Sequence, residues 1–353
     1  MNVVFSFNKS GAEGEFWERE ISAASNGDFS FFPFNHGAVL DPSLSTTAEK
    51  LDRLYQNRDP RLRKLYAAFE KRLEETRADA VIVANCPPYH PDYLRRLPVY
   101  KALHSADDPG ATYLINIPYL HAYDHVFFVA PTYSPDMDMK EKMTYAGKVN
   151  ADWVPISVLD FECAPDRSED QVFAQPRDIE IIYVGSFWRQ KAEVLARVKA
   201  AFGRRFRLHG QFRLKHNLFM KARYRCPGWV SPVTLQERVA LYQRSCIGFN
   251  VHWNEHGLGN QRLYHLPANG VMQISDCAGS LHRVFEPDRE IVGYRNADDL
   301  IDKLKYFLEN ESDRKAIARE GYRRTMRDYR FQTVARLAGE RIREGMERIG
   351  WGR

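Results

Sequence analysis

No stretch of the 353 residues approaches the roughly 18–20 consecutive apolar residues of a membrane-spanning helix, so no transmembrane segment is expected. No CxxC pair occurs among the five cysteines, which are odd in number and scattered. That pattern argues against a disulfide framework and for reduced thiols in a cytoplasmic protein. No basic stretch precedes the apolar residues of MNVVFSFNKS, which therefore reads as a first strand rather than a signal peptide. The loop after that strand has neither a GxGxxG nor a P-loop pattern, and internal repeats and low-complexity segments are also lacking. What remains is ordinary: 44% hydrophobic and 27% charged residues describe a soluble globular chain, long enough for two α/β domains with separate cores. The net charge of +5 suits an anionic ligand without demanding nucleic acid.

The most informative stretch runs from Ile247 to Ser275. An apolar run, Ile247 to Val251, is followed by a polar loop to Asn260, a helix-like Gln261 to Ala268, Asn269-Gly270, and a second apolar run, Val271 to Ile274. This is a βαβ unit, and ligands bind outside the carboxyl ends of such strands. Asn254, Gly259, Asn260, Gln261, Arg262 and Leu263 surround the start of the helix, where free N–H groups favour an anion. Arg262 adds a fork of donors suited to phosphate, so a diphosphate-bearing ligand is expected here.

The string GNQRLYHLPANGVMQISD, with the FEPDREIVGY and helical residues after it, resembles the carboxyl-terminal domain of CgeB-like (spore-maturation-type) glycosyltransferases. The resemblance covers the second half of the chain well and the first half loosely. It implies the GT-B architecture, two Rossmann-like α/β domains facing each other across a cleft, with a carboxyl-terminal helix crossing back to the first domain. It also implies hexosyltransferase-like transfer of a sugar from a nucleotide diphosphate sugar, without a bound metal. Where that family carries a Glu expected to hold the donor ribose, this chain has His265, which is expected to face the nucleotide instead.

Along the chain, Val3 to Phe7, Phe29 to Phe34, Ala80 to Ala84, Thr112 to Ile117 and Val126 to Val129 read as strands. Thr46 to Arg77 reads as a long amphipathic helix. Lys9, Ser10 and Glu15 follow the first strand and are acceptor-side or phosphate-side candidates, unless this is a plain strand-to-helix turn. His90, on a proline-stiffened loop after the third strand, is a candidate general base, as are Asp92, Asp124 and Glu15. The pair His121 and His125 lacks a third metal ligand, and the HxxEH pattern at His252–His256 continues a strand instead of lying on a helix, so no metal is expected at either. Residues 1–160 form the first domain, 161–178 a proline- and charge-rich linker, 179–330 the nucleotide-sugar domain and 331–353 the returning helix.

In that second domain Ile179 to Val184 is a strand that runs into Gly185 and Ser186. The resemblance aims this turn, with Arg189 and Lys191, at the donor diphosphate; one of the two cations is otherwise a helix-surface residue. His209 and Gly210 end the next strand on the ligand side, and Trp229 and Val230 match the family turn against the nucleotide base. Between Arg204 and Arg225 basic and aromatic residues alternate, a pattern of a solvated face or of a surface for nucleic acid or an anionic membrane. The acceptor is open: a glycan, protein, lipid-linked group, small molecule or nucleic acid. Two alternatives stand beside the enzyme, a degenerate relative that binds nucleotide or glycan without turnover and a nucleic-acid-directed protein.

Overall fold

Runs such as AVIVA at 80–84 and IEIIYV at 179–184 are apolar on both faces, which a strand requires only when helices cover both sides of a parallel sheet. The chain builds two such sheets. The computed structural model describes every residue except 10, 42, 43, 45–47, 86, 87, 107–115, 135, 149, 253–257, 352 and 353, and the side chains of 48 and 49. It divides into one unit of Met1–Ile156 with Phe331–Arg353, and another of Ser157–Arg330.

The first unit contains β1 (Asn2–Phe7), α1 (Gly11–Ala23), β2 (Ser30–Asn35), α2 (His36–Val39), α3 (Ala48–Gln56), α4 (Pro60–Thr76), β3 (Ala80–Ala84) and α5 (Pro91–Leu94). It continues through β4 (Tyr100–Ser105), β5 (His125–Phe128), β6 (Thr132–Ser134), β7 (Met137–Asp138), α6 (Met139–Tyr145) and β8 (Ala151–Trp153). Six strands form one sheet in the order β2-β1-β3-β4-β5-β8, every neighbouring pair parallel. Leu62, Leu65 and Phe69 of α4 pack with Val81, Val83 and Leu103 in the core beneath one face. The expected helix from Thr46 to Arg77 is two helices. Asp59 accepts the Arg61 N–H at 2.9 Å as an N-cap, and Pro60, which cannot donate inside a helix, occupies the first position of α4. Of the strand expected at Thr112 to Ile117, residues 112–115 lie outside the described residues, and Ile117–Ala122 is a 3₁₀ turn.

The second unit contains α7 (Glu169–Ala174), β9 (Ile179–Val184), α8 (Arg189–Phe202), β10 (Phe206–His209), α9 (Leu214–Tyr224), α10 (Leu235–Gln243) and β11 (Ser245–Asn250). Then follow α11 (Arg262–Ala268), β12 (Met272–Ser275), β13 (Val292–Gly293), α12 (Ala297–Glu309) and α13 (Glu311–Asp328). Its parallel sheet has the order β10-β9-β11-β12-β13. Ala192, Leu195, Ala196 and Phe202 form the buried stripe of α8, and all seven residues of α11 are buried. The expected linker is instead folded into this unit. A Ser168–Gln171 capping box opens α7, and Glu162 is buried in an ion pair with Arg238 at 3.0 Å. The division falls after Ile156, so the proline-rich composition of 161–178 marks capped turns, not a flexible tether. The chain leaves this unit at Arg330, and α14 (Phe331–Arg348) belongs to the first, where Phe331 meets Phe5 and Trp17 edge-on.

Candidate functional site

The carboxyl ends of β9, β10 and β11 converge on two glycines and one arginine. Gly185 follows β9 and Gly210 follows β10, and a Cβ on Gly210 would lie 1.7 Å from the Gly185 carbonyl oxygen. Gly210 also has φ +150, so only glycine lets these backbones meet. The gap above Gly185 is filled by Arg262 of α11, whose Nη2 would sit 2.3 Å from any Cβ there. Arg262 is 7% exposed, donates from Nε to the Val184 carbonyl at 2.8 Å, and lies with its guanidinium carbon 4.0 Å from the Tyr183 ring centre. Its Nη1 reaches Asn250 Oδ1 at 3.4 Å, and Asn260 Oδ1 accepts the Arg262 backbone N–H at 2.9 Å. Arg262 is thus held rigidly at the strand ends by neutral acceptors that leave its charge uncompensated.

A second cation joins it. Lys191, in the first turn of α8, is also 7% exposed, and its ammonium has no hydrogen bond or ion pair among the described residues. Burial, then the positive charge of Arg262, lowers its pKa to about 8, with Asp276 pulling the other way. Asp276, after β12, is itself engaged by His252, whose Nδ1 lies 2.5 Å from Oδ1 and whose backbone N–H donates to Oδ2 at 2.6 Å. Among the described residues His252, Asp276 and Cys277 are the one trio whose ligand atoms lie within 4.8 Å of one another, as a metal site would require. Two of those three side chains already bond each other. Two buried cations beside one hydrogen-bonded carboxylate favour an anion at these strand ends.

The other residues expected here fall into place less uniformly. Arg189 is exposed and turns to the Phe219 ring of α9, 5.4 Å away, so the outward cation is Arg189 and the inward one Lys191. Ser186 is exposed, Gly259 and Asn260 are half-buried, and Leu263 is wholly buried. Asn254 lies outside the described residues. His209 is half-buried, and desolvation followed by the Arg207 charge lowers its pKa. Val230 is core, its backbone clamped by Asn217, while Trp229 is exposed with Lys221 Nζ 4.2 Å above its ring. The expectation for His265 is corrected. Its ring is 1% exposed and its Nε2 lies 3.0 Å from Glu162 Oε2, off the line of a straight hydrogen bond. Burial works to raise the Glu162 carboxyl, yet the charges of His265 and Arg238 outweigh it and hold it below the usual range. His265 is therefore sealed by an acid inside the unit instead of facing a ligand. A cavity of about 390 Å³ lined by Arg177, Cys246 and Arg314 lies at the amino end of β11, away from these cations. The Arg177 guanidinium there is spent on the carbonyls of Ser245 and Asn269.

In the first unit three of the four expected bases are otherwise occupied. Asp124 precedes β5, which places it at the amino pole of a parallel sheet, where its carboxylate takes the Lys101 N–H at 2.8 Å and pairs with Lys101 Nζ at 3.0 Å. His90 caps α5, its Nδ1 accepting the Asp92 N–H at 3.1 Å and its Nε2 meeting Asp52 at 3.2 Å, while its ring stacks on Tyr55. Asp92 is exposed and bonded to Arg95, which holds its carboxyl below the usual range. Glu15 remains, exposed on α1 with no side-chain partner among the described residues. Lys9 pairs with Glu13 at 2.7 Å, and Ser10 is not described. Two histidines at the carboxyl pole were missed. His36, just after β2, is 1% exposed, bonds Ser6 Oγ at 3.0 Å, and has its pKa lowered to about 4 by burial. His104, near the end of β4, is half-buried with Nδ1 unpartnered, and burial lowers it to about 4 as well. The only sequence signal for either was a histidine at the carboxyl end of an apolar run.

Solved structures share the fold that carries these residues. Sucrose-phosphate synthase from Thermosynechococcus elongatus matches at a TM-score of 0.62 with 11% identity, over 98% of each chain. HepE of Anabaena, solved in complex with UDP-glucose, matches at 0.63 with 11% identity, over 98% of this chain and 100% of its own. A glycosyltransferase from Rickettsia africae matches at 0.61, also with 11% identity and over 98% of both chains. The chain has the GT-B fold. Residues 189–338 match the glycosyl transferase-like family, a span that includes Lys191 and Arg262. No curated protein matches the chain.

Proposed function

We propose that this GT-B chain is a glycosyltransferase that takes a hexose from a nucleotide diphosphate sugar, without a bound metal, and that it resembles the CgeB-like enzymes in doing so. The observation that carries this is the pair of buried cations, Lys191 and Arg262, at the carboxyl ends of β9 and β11, neither with an ion-pair partner among the described residues. The family match over 189–338 and the UDP-glucose bound to the similarly folded HepE support a nucleotide-sugar donor. As the bond from the sugar to the diphosphate breaks, negative charge grows on the leaving oxygens, and fixed cations in a dry site stabilise it. Those cations supply the charge that a divalent metal otherwise would. For an inverting reaction, Glu15 is the candidate base for the acceptor hydroxyl; a retaining reaction needs none.

A thermal-shift panel of UDP-, GDP-, dTDP- and CMP-sugars identifies the donor, since a bound ligand raises apparent stability. Turnover of that donor is then expected to fall on the order of 10²–10³-fold in Lys191→Met, and at least as far in Arg262→Met, with EDTA leaving the wild type unchanged. Activity of Lys191→Met within about threefold of wild type at saturating donor sinks the assignment. One observation favours a second reading, a donor-binding relative without turnover: position 265, where a ribose-holding Glu is expected, is closed off by Glu162. Tight donor binding with no hydrolysis or transfer under any acceptor decides for that reading.

A further inference from the structure

We propose that the outer face of α9 docks this chain on an anionic lipid bilayer. From Val194 to Gln236 the sequence holds ten Lys and Arg and not one Asp or Glu. Three of the ten are engaged elsewhere in the unit: Arg197 by Asp298, Arg205 by Glu180, and Lys199 by the Phe206 carbonyl. The five on and beside α9, Arg213, Lys215, Lys221, Arg223 and Arg225, have no acidic partner among the described residues. Their field reaches His216, whose pKa is lowered by desolvation and then by Lys215 and Arg213.

The same surface is apolar where a soluble helix is normally polar. Leu214 is 66% exposed and Leu218 51%, and both stand on one face with Lys221 and Arg225, at successive spacings of four, three and four. Trp229 extends the patch, 56% exposed with the Lys221 ammonium over its ring. The inner face of α9 is spent on the core through Asn217 and Met220, so the outer face is the one left to meet a partner. Exposed leucines separate the possible partners. A nucleic acid offers phosphates and flat bases, which cations and aromatic rings satisfy without aliphatic side chains. A bilayer interface offers anionic headgroups over an apolar layer, and it rewards Leu and Trp seated among Lys and Arg on a helix lying flat. No helix among the described residues is long and apolar enough to cross a membrane, and the contact proposed for α9 is with the bilayer surface.

The inference does not depend on sugar transfer, since the patch would hold vesicles in a protein with no catalytic activity. The test is co-sedimentation of the full chain with phosphatidylcholine vesicles and with vesicles containing about 30% phosphatidylglycerol, at low and high salt. Binding to the anionic vesicles is expected to be at least roughly tenfold tighter. Leu214→Ser/Leu218→Ser is expected to weaken it about tenfold, and Lys215→Glu/Arg223→Glu roughly 30-fold or more. All four side chains are exposed, so unchanged thermal unfolding certifies the variants, and the wild-type comparison decides alone if either fails to fold. Equal binding to both vesicle types overturns the proposal. So does unchanged vesicle binding by the serine variant when charge reversal abolishes binding of a single-stranded oligonucleotide, which would assign the face to nucleic acid.

Discussion

Lys191 carries a sign that distinguishes a ligand site from a buried accident. Its pKa in the folded, ligand-free chain is lowered to about 8 from an ordinary lysine value. Between the two values the unfolded chain binds the extra proton, so this group makes the ligand-free protein more stable as pH rises through that window. An anion needs the ammonium charged, so donor affinity moves the other way. At pH 9 about a tenth of Lys191 is protonated, and calorimetry is expected to show donor binding roughly tenfold weaker than at pH 7. Lys191→Met is expected to flatten that dependence; a profile unchanged by the substitution removes Lys191 from the site. The choice between Lys191 and Arg189 was legible in hindsight. Lys191 lies four residues before Leu195 and so shares the buried stripe of α8, whereas Arg189 does not. Position after the strand points to both cations, and only their phase on the helix separates them. His265 was not legible, because its partner Glu162 lies more than a hundred residues away, in a stretch that looked like a linker.

Among the elements, strand polarity decides most of what the sequence left open. A residue before a parallel strand sits at the opposite pole from a ligand, which disqualifies Asp124 on its place in the chain alone. The strands themselves were readable as short apolar runs, and β3 and β9 end where the runs end. The break between α3 and α4 was signalled by Asp59-Pro60, an N-cap followed by a first-turn proline, but hydrophobic periodicity runs through it and hid it. The turns after β9 and β10 make opposite demands on their glycines. In Gly185→Ala the new methyl meets Nη2 of Arg262, a side-chain end and not backbone, so the fold is expected to survive while donor affinity drops. In Gly210→Ala it meets backbone, in a region of φ that alanine rarely enters, and the cost is expected to reach about 1–3 kcal/mol or more. Thermal unfolding separates the two: roughly 4–10 °C lost for Gly210→Ala and little for Gly185→Ala. Similar losses in both would mean that Arg262 cannot yield.

For the whole molecule, the decisive feature is that the first unit is discontinuous, its last helix following the entire second unit in sequence. Phe331, Val334, Ala338 and Ile342 of α14 are buried, Phe331 beside Phe5 and Trp17, and Arg348 reaches Asn150 at 2.6 Å. A chain ending at Arg330 is expected to leave the first sheet uncovered and prone to aggregation, while the second unit keeps its core. Limited proteolysis checks this: a fragment starting near residue 157 should outlast the rest. Wild-type resistance of residues 1–156 in the shortened chain would show that α14 is dispensable.

During synthesis α14 leaves the ribosome only after the whole second unit, so the first unit waits for its cover while the intervening 174 residues (330 − 157 + 1) are made. Closing a flexible loop of that length costs about 4–5 kcal/mol before constant terms. Once folded, the second unit removes most of that cost. Its entry and exit run side by side, Val158 bridging Arg330 in parallel and donating to the Tyr329 carbonyl at 2.8 Å. To the nascent first unit, a long insertion then behaves as a tight turn.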